Sequence, residues 1–140
     1  MMKKGKCLFT FFLIVVLTGS LYGQDRKDIR DKGIKSITIN EYFIEEGLDE
    51  PLVESIEKYN EEGEVIELQE FNKRGDITKW EKYIYDEDRN VIEAIFLDAK
   101  GKVTRTEKFV FEDGFRVEKH YFNARDKLYK KKVYVYEYSE

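Results

Sequence analysis

Short runs of alternating apolar and polar residues cover most of the chain after residue 35. The runs are rich in Val, Ile, Thr, Tyr and Phe, which fit well on a pleated sheet. Segments of Asn, Asp and Gly separate them, such as 60–63, 72–75 and 98–101. Asn and Asp start turns by bonding their own backbone, and Gly takes the left-handed position that ends them. Turns every 11 to 14 residues therefore predict consecutive hairpins, with no room for helical crossovers.

The hairpin pattern repeats with a period of 26 residues. We divide it into three two-strand units at 59–84, 85–110 and 111–135, of which the last is one residue shorter. Equivalent positions of the units hold equivalent side chains. Aromatic residues open successive units, at Tyr59, Tyr85, Phe111 and Tyr136. Because a residue that recurs in every unit is first a structural residue, specific function is expected where the repeat is broken.

The segment before the repeat predicts one further hairpin, with strands at 36–44 and 52–59 and an acidic loop at 45–51. The predicted fold class is all-β, an antiparallel meander of about eight strands in a single curved or partly curled sheet. We expect the β-repeat domain to span 36–140. Residues 24–35 form a charged N-terminal segment that can be flexible.

The end of each second strand is apolar at consecutive positions, in 83–85, 109–111 and 134–136. Since successive side chains of a strand point to opposite faces, such runs are apolar on both faces. We expect these ends to be covered on both sides, by sheet curvature or by a partner.

The N-terminus has the pattern of a signal peptide. Three lysines precede residue 7, and an uncharged, mostly apolar run covers 8–18. The run is too short to cross a membrane, because a spanning helix needs about 20 apolar residues. Small residues then lead to Gly23, so we expect a signal peptide at 1–23 and a periplasmic or secreted protein. An alternative cleavage site follows Ser20, and no membrane span is predicted.

Composition and spacing argue against several kinds of site. Cys7 is the only cysteine and would leave with the signal peptide, so the mature chain has no disulfide and no thiolate nucleophile. His120 is the only histidine, which leaves too few ligands for a zinc site. The segment 86–97 begins like a calcium loop but lacks the required glycine and the final glutamate. The glutamates that recur in the units are better explained as solvent-facing than as a catalytic pair. We therefore predict no catalytic residue, metal or cofactor.

Charge is unevenly distributed along the chain. Residues 41–70 carry 12 acidic residues and only Lys58 as a base, whereas 111–138 carry 7 basic and 5 acidic residues. The whole chain has a net charge of −4 and no dense basic patch, which argues against nucleic acid as a partner. The gradient could orient a protein partner, although an ordinary solvated surface is the favoured interpretation.

The second unit carries the motif that is most recognisable, at Tyr85-Asp86, Asn90-Val91 and 98–104. This motif resembles the YD repeat of bacterial Rhs-type proteins, and the likeness covers 59–136. The first unit has Tyr59-Asn60 and the third has Phe111-Glu112 in place of the Tyr-Asp pair. The resemblance implies an exported β-sheet scaffold and carries no catalytic residues. MORN-like repeats are a looser resemblance.

The leading functional hypothesis is an exported, non-enzymatic scaffold or interaction protein of the cell envelope, with a protein or glycan partner. An open sheet also has edges through which copies could associate. The alternative is a carbohydrate- or envelope-binding module that uses exposed aromatic residues, and a small hydrolase using the acidic segment is less favoured. The candidate partner-binding residues are departures from the repeat, namely Trp80, His120, Lys130, Lys131, Lys132 and the acidic loop 45–50.

Overall fold

A computed structural model describes residues 25–47 and 50–139, which form one antiparallel sheet of eight strands in sequential order. Within the described chain the sheet does not close, so the first and last strands are its edges. The predicted all-β meander is confirmed. The elements are α1 (Arg26–Asp31), β1 (Ser36–Glu41), a 3-10 helix (Ile44–Glu46), β2 (Leu52–Tyr59), β3 (Val65–Phe71), β4 (Ile77–Tyr85), β5 (Val91–Leu97), β6 (Val103–Glu112), β7 (Phe115–Asn123) and β8 (Leu128–Val133).

Five hairpin turns share one construction, which the turn after β3 illustrates. The N–H of Gly75 donates to the carbonyl of Asn72 at 2.9 Å, and the N–H of Asn72 donates to the carbonyl of Asp76 at 3.0 Å. The side-chain oxygen of Asn72 also accepts from the N–H of Arg74 and of Asp76. The same pair of backbone bonds occurs in the turns that begin at Asn60, Asp86, Asp98 and Asn123. The Asn and Asp positions of the sequence therefore fix where each hairpin reverses.

Each pair of neighbouring strands contains one register shift. In the pairing of β2 with β3, Lys58 lies opposite Glu67 and Tyr59 lies opposite Val65, so Ile66 is an extra residue. Such bulges strengthen the local right-handed twist and redirect the side chains that follow them. The 26-residue repeat itself stays a prediction from the sequence.

The sheet has two faces that no second layer covers in the described chain. Paired residues share a face, so one row of side chains runs from β4 to β8. We call this side the tyrosine face, and its central row is Tyr83, Ala94, Glu107, Tyr121 and Lys130. The other side is the tryptophan face, and one of its rows is Lys82, Ile95, Thr106 and Phe122, beside Trp80. Among the described apolar residues, only Ile29, Ala94 and Tyr121 are buried.

The apolar ends of β4 and β6 are partly covered on one side only. Tyr83 and Tyr85 are half-buried on the tyrosine face. On the tryptophan face, Ile84 is 44% exposed and Val110 is 37% exposed. Curvature therefore does not cover Ile84 and Val110, because the sheet does not fold over its tryptophan face, and cover by a partner stays a prediction.

The charged segment before β1 contains a helix that the sequence pattern does not predict. Asp25 caps α1 by accepting from the N–H of Lys27, and Ile29 is only 2% exposed. The helix lies against the turn between β2 and β3, where a Cβ on Gly63 would overlap the carbonyl oxygen of Arg26. Part of the segment expected to be flexible thus packs on the sheet.

A buried carboxylate joins α1 to the sheet. The side chain of Glu64 is 4% exposed and lies 3.5 Å from the guanidinium of Arg26 and 3.8 Å from that of Arg89. It also accepts a hydrogen bond from the amide of Asn60 at 2.9 Å. A buried carboxylate is strongly destabilising without such partners. Arg26 therefore links α1 to Glu64, and Arg89 links the turn between β4 and β5 to the same carboxylate.

Two tyrosine hydroxyls tie the hairpins together and provide a test of the repeat. Tyr85 donates to the carbonyl of Val65 at 2.8 Å, and Tyr136 donates to the carbonyl of Arg116 at 2.7 Å, each across 20 residues. We expect Tyr85→Phe to lower the free energy of unfolding by about 1 kcal/mol, because one hydrogen bond is lost. Phe111 occupies the equivalent position at the start of the third unit.

If the units are equivalent, Phe111→Tyr should place a hydroxyl near the carbonyl of Val91, which is 20 residues earlier. The variant should then be as stable as the wild type or more so in urea unfolding. A decrease in the free energy of unfolding as large as that of Tyr85→Phe would show that position 111 is not equivalent to position 85.

Candidate functional site

Cationic side chains cluster on the part of the tyrosine face formed by β6, β7 and β8. The strand register places five cations and one carboxylate there. We call this the basic surface, and its charged residues are Arg105, Glu107, Arg116, Lys119, Lys130 and Lys132. A bulge makes this cluster possible. Arg116 and Lys119 are three apart but share a face, because the register shift leaves Val117 as an extra residue.

Tyr121 lies at the centre of the basic surface and is 9% exposed. The ammonium nitrogens of Lys119, Lys130 and Lys132 lie 4.6, 4.9 and 5.9 Å from the centre of its ring. A cation over an aromatic ring gains about 0.5–1 kcal/mol at an exposed site. The ring therefore holds three flexible lysines in one place.

The two arginines of the basic surface also rest on rings. The guanidinium of Arg105 lies 3.9 Å from the ring centre of Phe96, and that of Arg116 lies 4.4 Å from the ring centre of Phe109. The Nε of Arg116 is buried and has no hydrogen-bond acceptor among the described residues. The planar side chains are thus positioned by packing, with at least one donor unused.

The single carboxylate of the basic surface is already paired. Glu107 lies 2.7 Å from Lys119 and 3.3 Å from Arg105. In residues 25–47 and 50–139, Arg116, Lys130 and Lys132 have no carboxylate within ion-pair distance. The positive charge of this surface is therefore only partly compensated.

The electrostatic potential of the basic surface acts on Tyr121. Burial raises the pKa of the Tyr121 hydroxyl, but the ammonium groups of Lys119 and Lys132 outweigh burial and bring that pKa below its ordinary value. The lysines favour the phenolate because they attract negative charge. They would attract any other anion brought to the same place.

His120 and Lys131 lie on the opposite, tryptophan face. Glu118 binds both of them, and its distance to Nε2 of His120 is 2.6 Å. Interactions with Lys131 and then with His120 hold the pKa of Glu118 below its ordinary range. These two candidate residues are thus brought together with each other but not with Lys130 and Lys132.

Trp80 also lies on the tryptophan face, where its contacts are within the chain. Its indole N–H donates to the carboxylate of Glu67 at 2.8 Å. Its ring lies beside the turn between β5 and β6, so a Cβ on Gly101 would be 3.2 Å from it.

The acidic loop lies apart from these residues, between β1 and β2. Its Glu46 pairs with Lys73 at 2.8 Å, and residues 48–49 are outside the described chain. The structure therefore separates most of the candidate residues.

The comparisons with known proteins add no assignment. The chain matches no protein-family model, no curated protein and no solved structure. The resemblance to YD repeats stays a prediction, as does the signal peptide, which lies outside the described residues. In the described part of the chain, no helix is long and apolar enough to span a membrane, and no group of three acidic, His or Cys residues is placed to hold a metal ion.

The contact between Trp80 and Glu67 predicts a transition in acid. Burial raises the pKa of Glu67, but hydrogen bonds from Lys58 and Trp80 outweigh burial and lower that pKa. A carboxyl whose pKa is lower in the folded chain contributes stability that is complete above its unfolded pKa and is lost as pH falls through its folded pKa. Because Trp80 is the only tryptophan, its fluorescence should report this protonation, with a midpoint below the ordinary range of glutamate.

Glu67→Gln is the matched control for this titration. It keeps an oxygen acceptor for the indole N–H but cannot ionise, so the fluorescence transition should disappear. A transition of the same midpoint in the variant would assign it to another group.

Proposed function

We propose that this chain is an exported, non-enzymatic interaction protein of the cell envelope, and that it binds its partner at the basic surface. The observation that carries the proposal is the incomplete pairing of that surface. On other strands, Lys58 meets the carboxylate of Glu67 and Lys79 meets that of Glu70. Among the described residues, Arg116, Lys130 and Lys132 meet no carboxylate and lie beside aromatic rings.

The rings beneath the cations favour binding of an anionic partner. Immobilising a lysine at an interface costs about 0.5–1.5 kcal/mol of conformational entropy. On the basic surface part of this cost is met before the partner arrives, because Tyr121 already holds three ammonium groups near its ring. The uncovered tyrosine face also offers a partner an extended area.

The carbohydrate-binding alternative has less support from the contacts of Trp80. A ring that stacks on a sugar needs an open face, whereas this ring lies against Gly101 and its N–H is used by Glu67. Neither the acidic loop nor the recurring glutamates supply an observation that favours a hydrolase.

The proposal is tested by capture from the envelope fraction of the native host at physiological salt. We would compare the wild type with Lys130→Glu/Lys132→Glu and with Lys27→Glu, which makes the same kind of change on exposed α1. The wild type and Lys27→Glu should retain the same molecules, and the double variant should lose them. Retention by all three proteins, or background alone with the wild type, would contradict the proposal.

A further inference from the structure

Among the described residues, no strand pairs with the outer edge of β8. It is the last strand in the sheet order, and all six of its residues are exposed. An edge strand presents unpaired backbone N–H and C=O groups that can bond to another extended chain. The edge adjoins the basic surface, because Lys130 and Lys132 belong to both.

The central residues of β8 place positive charge on both faces. Lys130 pairs with Tyr121 and Lys132 pairs with Lys119 on the tyrosine face, while Lys131 pairs with His120 on the tryptophan face. A second copy of β8 added antiparallel would place lysines opposite lysines. Like charges directly opposite each other destabilise a strand pair, so these residues disfavour association of two such edges.

An incoming strand with acidic residues would be attracted by these lysines instead of being repelled. Opposite charges on facing strands contribute about 0.2–1 kcal/mol per pair. Lys131 is partly satisfied by Glu118, so Lys130 and Lys132 would be the principal partners of incoming carboxylates. The other edge, β1, has no lysine or arginine and would not make this selection.

We propose that β8 accepts an extended acidic polypeptide as an additional strand, whose backbone bonds to the open edge and whose carboxylates lie beside Lys130 and Lys132. The inference rests on the proposed function, because it names the class of partner for the same surface. Strand addition provides affinity through the backbone and specificity through side chains. Repulsion between lysines disfavours a second copy of the edge, so the same residues both repel one partner and attract another.

The test uses a dye-labelled synthetic peptide, Thr-Val-Glu-Glu-Glu-Val-Thr with both ends capped, and the full chain. Fluorescence anisotropy should show equal binding to the wild type and to Lys27→Glu. Binding to Lys130→Glu/Lys132→Glu should be weaker by about tenfold, which corresponds to about 1.4 kcal/mol. Hydrogen exchange followed by NMR should show that β8 amides gain protection when the peptide binds.

Two further probes distinguish strand addition from attraction of any anion. Peptides of this sequence that are N-methylated at every residue have no backbone N–H to donate from either edge and should not bind. Heparin is a polyanion that cannot form a strand.

Equal binding of the methylated peptides, or peptide binding without protection of β8, would overturn strand addition. Heparin binding that depends on Lys130 and Lys132 would then leave the basic surface as a general anion site. If no anionic probe binds and the double variant retains its envelope partners, the proposed function fails as well.

Discussion

Replacing Gly63 with alanine should lower the free energy of unfolding by about 3 kcal/mol, the larger part of it through loss of the packing of α1. Gly63 has a φ of 77°, where an alanine is strained. Its added Cβ would also overlap the carbonyl oxygen of Arg26 and lie 3.1 Å from the backbone nitrogen of Arg30. Because both contacts are backbone atoms of the helix, α1 must move as a whole, and Ile29 would lose its burial.

Gly75→Ala is the matched control for this substitution. Gly75 has a φ of 80° in a turn of the same construction, but no atom lies within 4 Å of its ideal Cβ. The free energy of unfolding of Gly75→Ala should fall by only about 1 kcal/mol, which comes from the strained backbone conformation of the alanine. In urea unfolding, Ile29→Ala should cost much less in the Gly63→Ala background than alone, since neighbouring effects are not additive. Equal losses for the two glycine variants would mean that α1 does not pack on this turn.

The second large effect is expected at the buried carboxylate. Replacing Arg26 and Arg89 together with methionine keeps their aliphatic length but leaves Glu64 with only the amide of Asn60 as a side-chain partner. The double variant should lose about 3 kcal/mol at neutral pH, because an unpaired charge stays buried. Adding Glu64→Gln should recover most of this loss, since the buried group is then neutral.

An exposed ion pair provides the comparison for this experiment. The side chain of Arg74 is 83% exposed and pairs with Asp76 at 3.0 Å. Arg74→Met should change stability by less than about 0.5 kcal/mol, as exposed pairs contribute little. If the Arg26 and Arg89 double variant were equally mild, or if Glu64→Gln gave no recovery, Glu64 would not be a buried charge held by the arginines.

The strands could be predicted because their signals are local. Alternation over a few residues and turn residues such as Asn72 and Gly75 act within one hairpin, and the chain obeys them from β2 to β8. The helix α1 could not be predicted in this way. Ile29 is the one apolar residue between Asp25 and Gly33, so the segment has no helical periodicity, and the helix depends on contacts with a distant turn.

The candidate site was predicted in part, at Lys130 and Lys132. Arg105, Arg116, Lys119 and Tyr121 were missed, because they lie on different strands and the sequence does not show which of them share a face. A single extra residue reverses the face of everything beyond it. Alternation of Lys119 with Tyr121 within β7 was the one local signal that could have revealed part of the cluster.

The alternation of apolar and polar residues in the sequence also does not show which polar side chains bond to one another. Trp80 and His120 stand out in the sequence as unique residues, but each is held by a neighbouring glutamate on the tryptophan face. Uniqueness in a sequence therefore marked residues with structural contacts, whereas the basic surface consists of common residue types in an uncommon arrangement.

In the described chain, β8 is an open edge beside an incompletely paired basic surface. Amide hydrogen exchange of the unliganded chain, measured residue by residue by NMR, is the decisive measurement of this arrangement. The structure predicts that β8 amides directed away from β7 exchange nearly as fast as in an unfolded chain, while amides of β4, β5 and β6 are strongly protected. Strong protection of every β8 amide at low protein concentration would contradict this arrangement, because the edge would then be covered by the chain itself.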